Sequence, residues 1–377
     1  MPSATRALLE SLVRIDSVNP SLDSAGGGEK AIGCFIADFC RDRKLEFKFQ
    51  DVEGERRNLV AWVPGSGDDK LLFVAHMDTV PVKGWKRDPF EPLTIGNRLY
   101  GRGACDTKAS LVAMLLALDS IRRERPRATI VVAGSVDEEF QKKGARALGE
   151  IRPLFSGAVV GEPTDLEVVV AHKGSVRWQI ETIGRAAHSS VPENGRNAIV
   201  AMAETVLALK KLGDDLRAKA TPLTGAPSLT VSMIEGGTDI CTVPPRCVIS
   251  IDRRLVPGES AAQALLDVET LLRSVATKNA DVLVRSILPA VEDPPVSGVA
   301  SKPLARIVHN ACAQYAGTGE FRGVPYGTDA SLLSAAGIPC IIVGPGSIEQ
   351  AHTVDEFVDL SQLDKAFDIY RSVMLQF

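Results

Sequence analysis

Residues 71–81, Leu71-Leu72-Phe73-Val74-Ala75-His76-Met77-Asp78-Thr79-Val80-Pro81, restrict what this chain can fold into more than any other stretch. The run from Leu71 to Ala75 is apolar on every side, as a strand buried on both faces requires. It ends in a histidine and an aspartate two positions apart, and Pro81 stops further pairing. Side chains two apart in a strand point the same way, so His76 and Asp78 project together from its carboxyl end. Open α/β sheets bind their ligands at that edge. A carboxylate beside an imidazole fixes the ring's tautomer and raises its basicity, which suits a metal-binding histidine.

The flanking pattern extends this strand into a sheet. Residues 4–15 and 29–43 read as helices, 59–63 and 70–75 as strands, and 109–123 as a strongly apolar helix. Strand 129–133, helix 145–151 and strand 157–160 follow, an alternation that implies a mostly parallel sheet covered on both faces. The style changes near residue 175, where 175–183 alternates apolar and polar residues as a half-exposed strand does. Helix 196–212, strands 228–234 and 246–253, helix 261–275 and strand 281–286 complete a β-α-β-β-α-β order, that of a small ferredoxin-like domain. The first style resumes after Pro294-Pro295 with helix 302–315, strand 340–343 and helix 360–375. The expected organisation is a catalytic α/β domain in two pieces, 1–174 and 289–377, interrupted by a lid at 175–288.

Composition narrows the function classes. The 377 residues carry a net charge of −4, which provides no electrostatic attraction to nucleic acid or an anionic membrane. Seven cysteines without CxxC spacing suggest neither a zinc finger nor a redox pair, and their odd number favours free thiols in a reducing compartment. Glu10 interrupts the apolar residues near the amino terminus, so that segment reads as an amphipathic helix rather than a signal-peptide core. Leu111–Leu118, the longest helical apolar run, falls far short of the roughly 20 residues of a membrane span. The expectation is a cytoplasmic protein. Gly28-Glu29-Lys30 lacks both the preceding strand and the Ser/Thr of a phosphate loop.

Five stretches place metal-type ligands just past apolar strands or in glycine-rich loops: His76-Met77-Asp78, the Gly101–Lys108 loop with Asp106, Asp137-Glu138-Glu139, Gly161-Glu162-Pro163-Thr164, and His352 after Gly344-Pro345-Gly346. Each has an ordinary explanation alone. Asp106 could cap the helix beginning near Thr107, and adjacent acids commonly form a solvated turn. Five in one repeated structural position point instead to a shared site at the carboxyl edge of one sheet. Two histidines with several carboxylates suit zinc, with cobalt or manganese as substitutes. The set exceeds what one tetrahedral ion requires. Two ions about 3.5–4 Å apart, sharing a carboxylate and a water, would use it all and leave one acid to shuttle a proton.

Taken together with His188, Gly327-Thr328-Asp329-Ala330 and Ala351-His352, these stretches resemble the zinc amidohydrolases and exopeptidases that include acetylornithine deacetylase, succinyl-diaminopimelate desuccinylase, aminoacylase and bacterial glutamate carboxypeptidase. The resemblance covers essentially the full length. It implies an α/β catalytic domain with an inserted ferredoxin-like lid that usually dimerises. It also implies that Asp106 bridges two zinc ions, that His76 and Glu162 complete one, and that Glu139 and His352 complete the other. Glu138 would be general base and acid, Asp78 would orient His76, and a cis peptide is expected after Asp106. His188, in the lid, would stabilise the oxyanion in the partner subunit's site. Arg254 would grip the substrate's free carboxylate, with Gly327 and Thr328 lining the pocket. Cys241 stands where many relatives carry asparagine, a departure that touches lid contacts rather than metal chemistry. The implied reaction is deacylation of an N-acyl amino acid, with a dipeptidase or carboxypeptidase on the same metal core as the alternative. A metal-binding relative without catalysis would have lost a ligand or the base, and none is lost.

Overall fold

The structure, a computed structural model, describes residues 3–278, 281–300 and 302–377. The chain divides into two compact units. One comprises Met1–Val170, Gly298–Arg322 and Thr328–Phe377; the other comprises Ala171–Ser297 and Gly323–Gly327.

Among the described residues, an eight-stranded sheet runs in the order Glu46–Glu53, Arg56–Val63, Thr129–Ser135, Lys70–His76, Gly157–Val160, Cys340–Ile342, Val168–His172 and Phe321–Val324. Strand Lys70–His76 pairs in parallel with Thr129–Ser135 and Gly157–Val160, and Cys340–Ile342 continues the parallel core. These are the apolar runs of the sequence, buried on both faces as parallel strands are. The fold class is therefore the mostly parallel α/β arrangement expected. Helix Lys108–Ser120 is buried almost throughout and packs against helix Leu360–Gln376 and the sheet. A helix apolar all round needs cover on every side.

Register brings the chemistry together. His76 lies opposite Ser135, Val74 opposite Val160, and Ile342 opposite Val160. The central strands thus stop at nearly one level, and the segments leaving them begin side by side.

In the second unit, strands Ser228–Gly236, Arg246–Leu255, Gly174–Ile183 and Leu283–Asp293 form an antiparallel sheet in that spatial order. Val176, Trp178 and Ile180 pack with Ile249 and Ile251 beneath helices Ala198–Leu216 and Ala261–Lys278. This is the ferredoxin-like β-α-β-β-α-β order.

Several short elements are absent from the sequence reading. Strand Glu46–Glu53 alternates exposed and half-buried residues at the sheet edge, a faint period-two signal. Strands Leu93–Ile95, Arg98–Tyr100 and Phe357–Asp359 form a small separate sheet. Three residues are too few to carry a periodicity, and one partner lies some 260 positions away. No helix among the described residues is long and apolar enough to cross a membrane.

Candidate metal centre

All five proposed ligands lie in the first unit. His76 is the last residue of its strand, and Asp106 ends the loop before helix Lys108–Ser120. Gly103 in that loop takes φ +80°, and a Cβ there would press on Lys108 and Thr79 at 2.9 Å. The Asp106–Thr107 peptide is cis, as expected from the resemblance. Asp137, at φ 68°, turns the chain so that Glu138 and Glu139 follow directly.

Asp106 sits between two imidazoles. Its Oδ1 lies 3.0 Å from His76 Nε2, and its Oδ2 lies 3.4 Å from His352 Nε2. His352 Nε2 is also 3.2 Å from Glu139 Oε2. Ligand atoms of His76, Asp106 and Glu139 all fall within 4.8 Å of one another. Glu162 is buried, within electrostatic reach of His76, Glu138 and Asp106.

The electrostatics fit divalent cations. His76 Nδ1 donates to the backbone carbonyl of Asp78 at 2.8 Å, and its Nε2 faces the Asp106 carboxylate at 3.0 Å, where a metal ion can take the place of a bridging proton. Burial would raise the Asp106 carboxyl, but hydrogen bonds from His352 and His76 outweigh it and hold it well below the usual range. The same bonds to Asp106 and Glu139 lift His352 to about 10. Burial and the Asp106 charge push Glu139 up to about 7. Burial raises Glu162 well above the ordinary range against the pull of His76, and Glu138 adds to the rise. Buried acids thus outnumber protein cations here, and the surplus is what metal ions neutralise. The donor set, two imidazoles and several carboxylates, suits zinc, cobalt or manganese.

Asp78 departs from its expected role. His76 is oriented by the Asp78 backbone carbonyl, while the Asp78 carboxylate lies 3.7 Å from the ring. That carboxylate accepts instead from the amides of Glu138 at 3.1 Å and Glu139 at 3.2 Å, and from Asn19 Nδ2 at 2.7 Å. Asp78 therefore fixes the turn that presents both glutamates. Glu138 is buried, with Lys142 Nζ 3.4 Å from its Oε1.

The remaining expected residues are placed as follows. His188, in the second unit, is exposed, and its Nδ1 accepts from the Ser190 amide at 3.2 Å. Both Nε and Nη2 of Arg254 donate to Asp252, so its guanidinium fork already holds a carboxylate. Thr328 is buried, and its Oγ1 accepts from the Ala330 amide at 3.1 Å. Gly327 falls in the second unit and Thr328 in the first.

Four site-forming residues escaped the sequence reading as individuals. Asn19 also donates to Asp137 Oδ1 at 3.2 Å, and Arg56 Nη1 reaches the same oxygen at 2.8 Å. Asp329 accepts from Ser135 Oγ at 2.6 Å, while its Oδ1 is buried without a hydrogen-bond partner. Burial and Glu138 raise Asp329 to about 7. Lys108 Nζ donates to the carbonyls of Leu12 and Ile15, pinning the end of the first helix. The motifs holding Asp329 and Lys108 were noticed, yet nothing local distinguished these two side chains.

Comparison with known proteins gives a consistent result. The model of peptidase family M20/M25/M40 matches residues 72–376. Acetylornithine deacetylase from Buchnera aphidicola subsp. Schizaphis graminum (strain Sg) is 29% identical over 380 residues, spanning 98% of this chain and 97% of that protein. A solved tripeptidase from Staphylococcus aureus subsp. aureus Mu50 has the same fold, with a TM-score of 0.80 at 20% identity over 98% of this chain and 97% of that one. A dinuclear metal-binding M20 peptidase from Bacillus subtilis superposes with a TM-score of 0.74 at 16% identity, covering 98% and 96%.

Proposed function

The chain belongs to peptidase family M20/M25/M40, and from that premise we propose that it is a metal-dependent amidohydrolase that deacylates an N-acyl amino acid through two zinc ions. Cobalt or manganese would substitute. One observation carries the two-ion reading: a single carboxylate, Asp106, faces an imidazole on each oxygen. That arrangement suits a bridging ligand, with His76 and Glu162 on one side and His352 and Glu139 on the other. The name of the full-length relative at 29% identity supports the deacylase assignment.

Two divalent ions in this site would lower the pKa of a shared water and polarise the scissile carbonyl. Glu138 would accept a proton from the attacking water and return it to the departing nitrogen. Lys142, 3.4 Å away, holds the carboxylate in place. Asp78 keeps Glu138 and Glu139 in fixed relation through their amides. His188 donates to the developing oxyanion in the partner subunit's site of a homodimer. Arg254 would exchange Asp252 for the substrate carboxylate. The dimer would form through the second unit, where Met233 and Ile234 are 68% and 62% exposed along the outer strand Ser228–Gly236. An apolar edge strand is a ready template for pairing. Seven free thiols support a reducing, cytoplasmic setting.

The test is a hydrolysis panel on chelator-stripped protein reloaded with zinc or cobalt. Preferential cleavage of N-acyl amino acids is expected. A preference for dipeptides moves the protein to the exopeptidase class, and no hydrolysis under any metal overturns the enzymatic reading.

A further inference from the structure

Glu356 belongs to no ligand set named above, yet its buried carboxylate accepts four hydrogen bonds. Oε2 takes Arg102 Nη1 at 2.6 Å and the Gly103 amide at 3.0 Å. Oε1 takes the Cys105 amide at 2.8 Å and the Asp106 amide at 3.0 Å. Every donor comes from the loop that delivers Asp106. The placement follows from strand register: Phe357 pairs with Tyr100, Val358 with Leu99, and the Gly101 amide donates to the Glu356 carbonyl at 3.1 Å. The residue preceding Phe357 must then lie under the loop that follows Tyr100.

The loop has two further ties. Arg102 Nη2 donates to the Pro81 carbonyl at 3.2 Å, on the segment that carries His76 and Asp78. Cys105 Sγ donates to the Ser347 carbonyl at 3.4 Å, on the segment that leads to His352. A buried carboxylate is costly unless all its oxygens are matched, and an apolar side chain would fill the space more cheaply. What the carboxylate adds is direction. It draws three amides of one loop to a single point, which fixes the course of the backbone at Asp106. His352 lies four residues earlier on the same segment as Glu356.

We propose that Glu356 is a positioning residue for the metal centre, locking the loop that carries Asp106 to the segment that carries His352. It acts on two ligands through backbone that neither ligand controls. The proposal rests on the reading of Asp106 and His352 as ligands to one ion.

The experiment is a titration of chelator-stripped protein with Co²⁺ alone, followed by visible absorption and calorimetry. Wild-type protein is expected to show two binding steps. A single step or none overturns the two-ion reading itself and is separate from the outcome for Glu356. The step weakened most in His352→Ala identifies the ion in question. Glu356→Gln keeps the shape but loses the charge and one acceptor. It should weaken that step by about 10–100-fold and alter its cobalt spectrum, as changes behind metal ligands do. The other step should change less. Combining Glu356→Gln with His352→Ala should give less than the sum of the two losses. A folded Glu356→Gln protein with wild-type affinities and spectrum overturns the proposal, and so does strict additivity. Should that variant not fold, Glu356→Asp retains the carboxylate on a shorter stem. Its effect on the same step should be smaller but measurable, and an unchanged step there overturns the proposal equally.

Discussion

Glu162, just past a strand of the first unit, and Glu181, on a strand of the second, are both buried glutamates, and their surroundings drive them in opposite directions. Glu181, on the sheet of the second unit, is hydrogen-bonded by Arg246 and Arg285, which hold its carboxyl below the ordinary range. Nearby, Arg177 and Arg254 share Asp252. There the protein supplies its own cations. At the carboxyl edge of the first unit's sheet, burial and neighbouring acids raise Glu139, Glu162 and Asp329. Among the described residues no arginine pairs with the ligand oxygens, and Lys108, which burial lowers to about 7, turns to backbone carbonyls instead. An acid cluster with its own arginines is finished by folding, whereas one without them is built to take a cation from solution.

Four experiments probe that contrast. The largest effect is expected from Glu138→Gln, which should lower kcat about 10²–10⁴-fold while leaving metal content, measured by elemental analysis, unchanged. Loss of metal in that variant would make Glu138 a ligand and enlarge the cation-binding set. Next, His188→Ala should lower kcat about 10²–10³-fold with both ions retained. Mixing it with Glu138→Gln should regenerate activity if each His188 serves the other subunit, and a wild-type rate in His188→Ala ends its oxyanion role.

The third experiment sets the two glutamates against each other in chelated protein. A carboxyl raised by folding favours the unfolded chain once ionised, and this penalty fades as pH falls toward the unfolded value. A lowered carboxyl stabilises above its unfolded value and loses that contribution as pH falls through its folded one. At pH 7 without metal, Glu162→Gln should therefore raise unfolding stability. Glu181→Gln should lower it by about 0.5 kcal/mol, since Arg246 and Arg285 are 60% and 56% exposed and solvent screens the pair. Equal signs in urea denaturation would erase the distinction. With metal restored, the effect of Glu162→Gln should reverse sign. The smallest energetic effect belongs to Ile234→Lys on the exposed strand edge. It should halve the mass in sedimentation equilibrium while changing protomer stability by no more than about 0.5 kcal/mol. An unaltered mass would move the interface elsewhere.

Much of the first unit was legible because its signals are local. Apolar runs of four to seven residues announce buried parallel strands, and polar residues that end them announce the edge where ligands gather. The ferredoxin-like order of the second unit was equally plain from its alternating strands. The small sheet formed by Leu93–Ile95, Arg98–Tyr100 and Phe357–Asp359 was not, because three-residue strands have no period to read. Its absence from the reading hid Glu356, an acid in a polar stretch whose partners lie 250 and more positions earlier.

Residue type and strand termini alone determined that imidazoles and carboxylates would meet at one sheet edge, and therefore what class of chemistry was available. Only the folded chain decided which oxygen faces which nitrogen: that Asp78 holds His76 by its carbonyl and the glutamates by its carboxylate, and that Arg254 already grips an acid. Hydrophobic periodicity is written within a few residues and survives without knowledge of the rest. A hydrogen bond between distant segments depends on register and backbone direction accumulated over the whole sheet, and no local pattern encodes that sum.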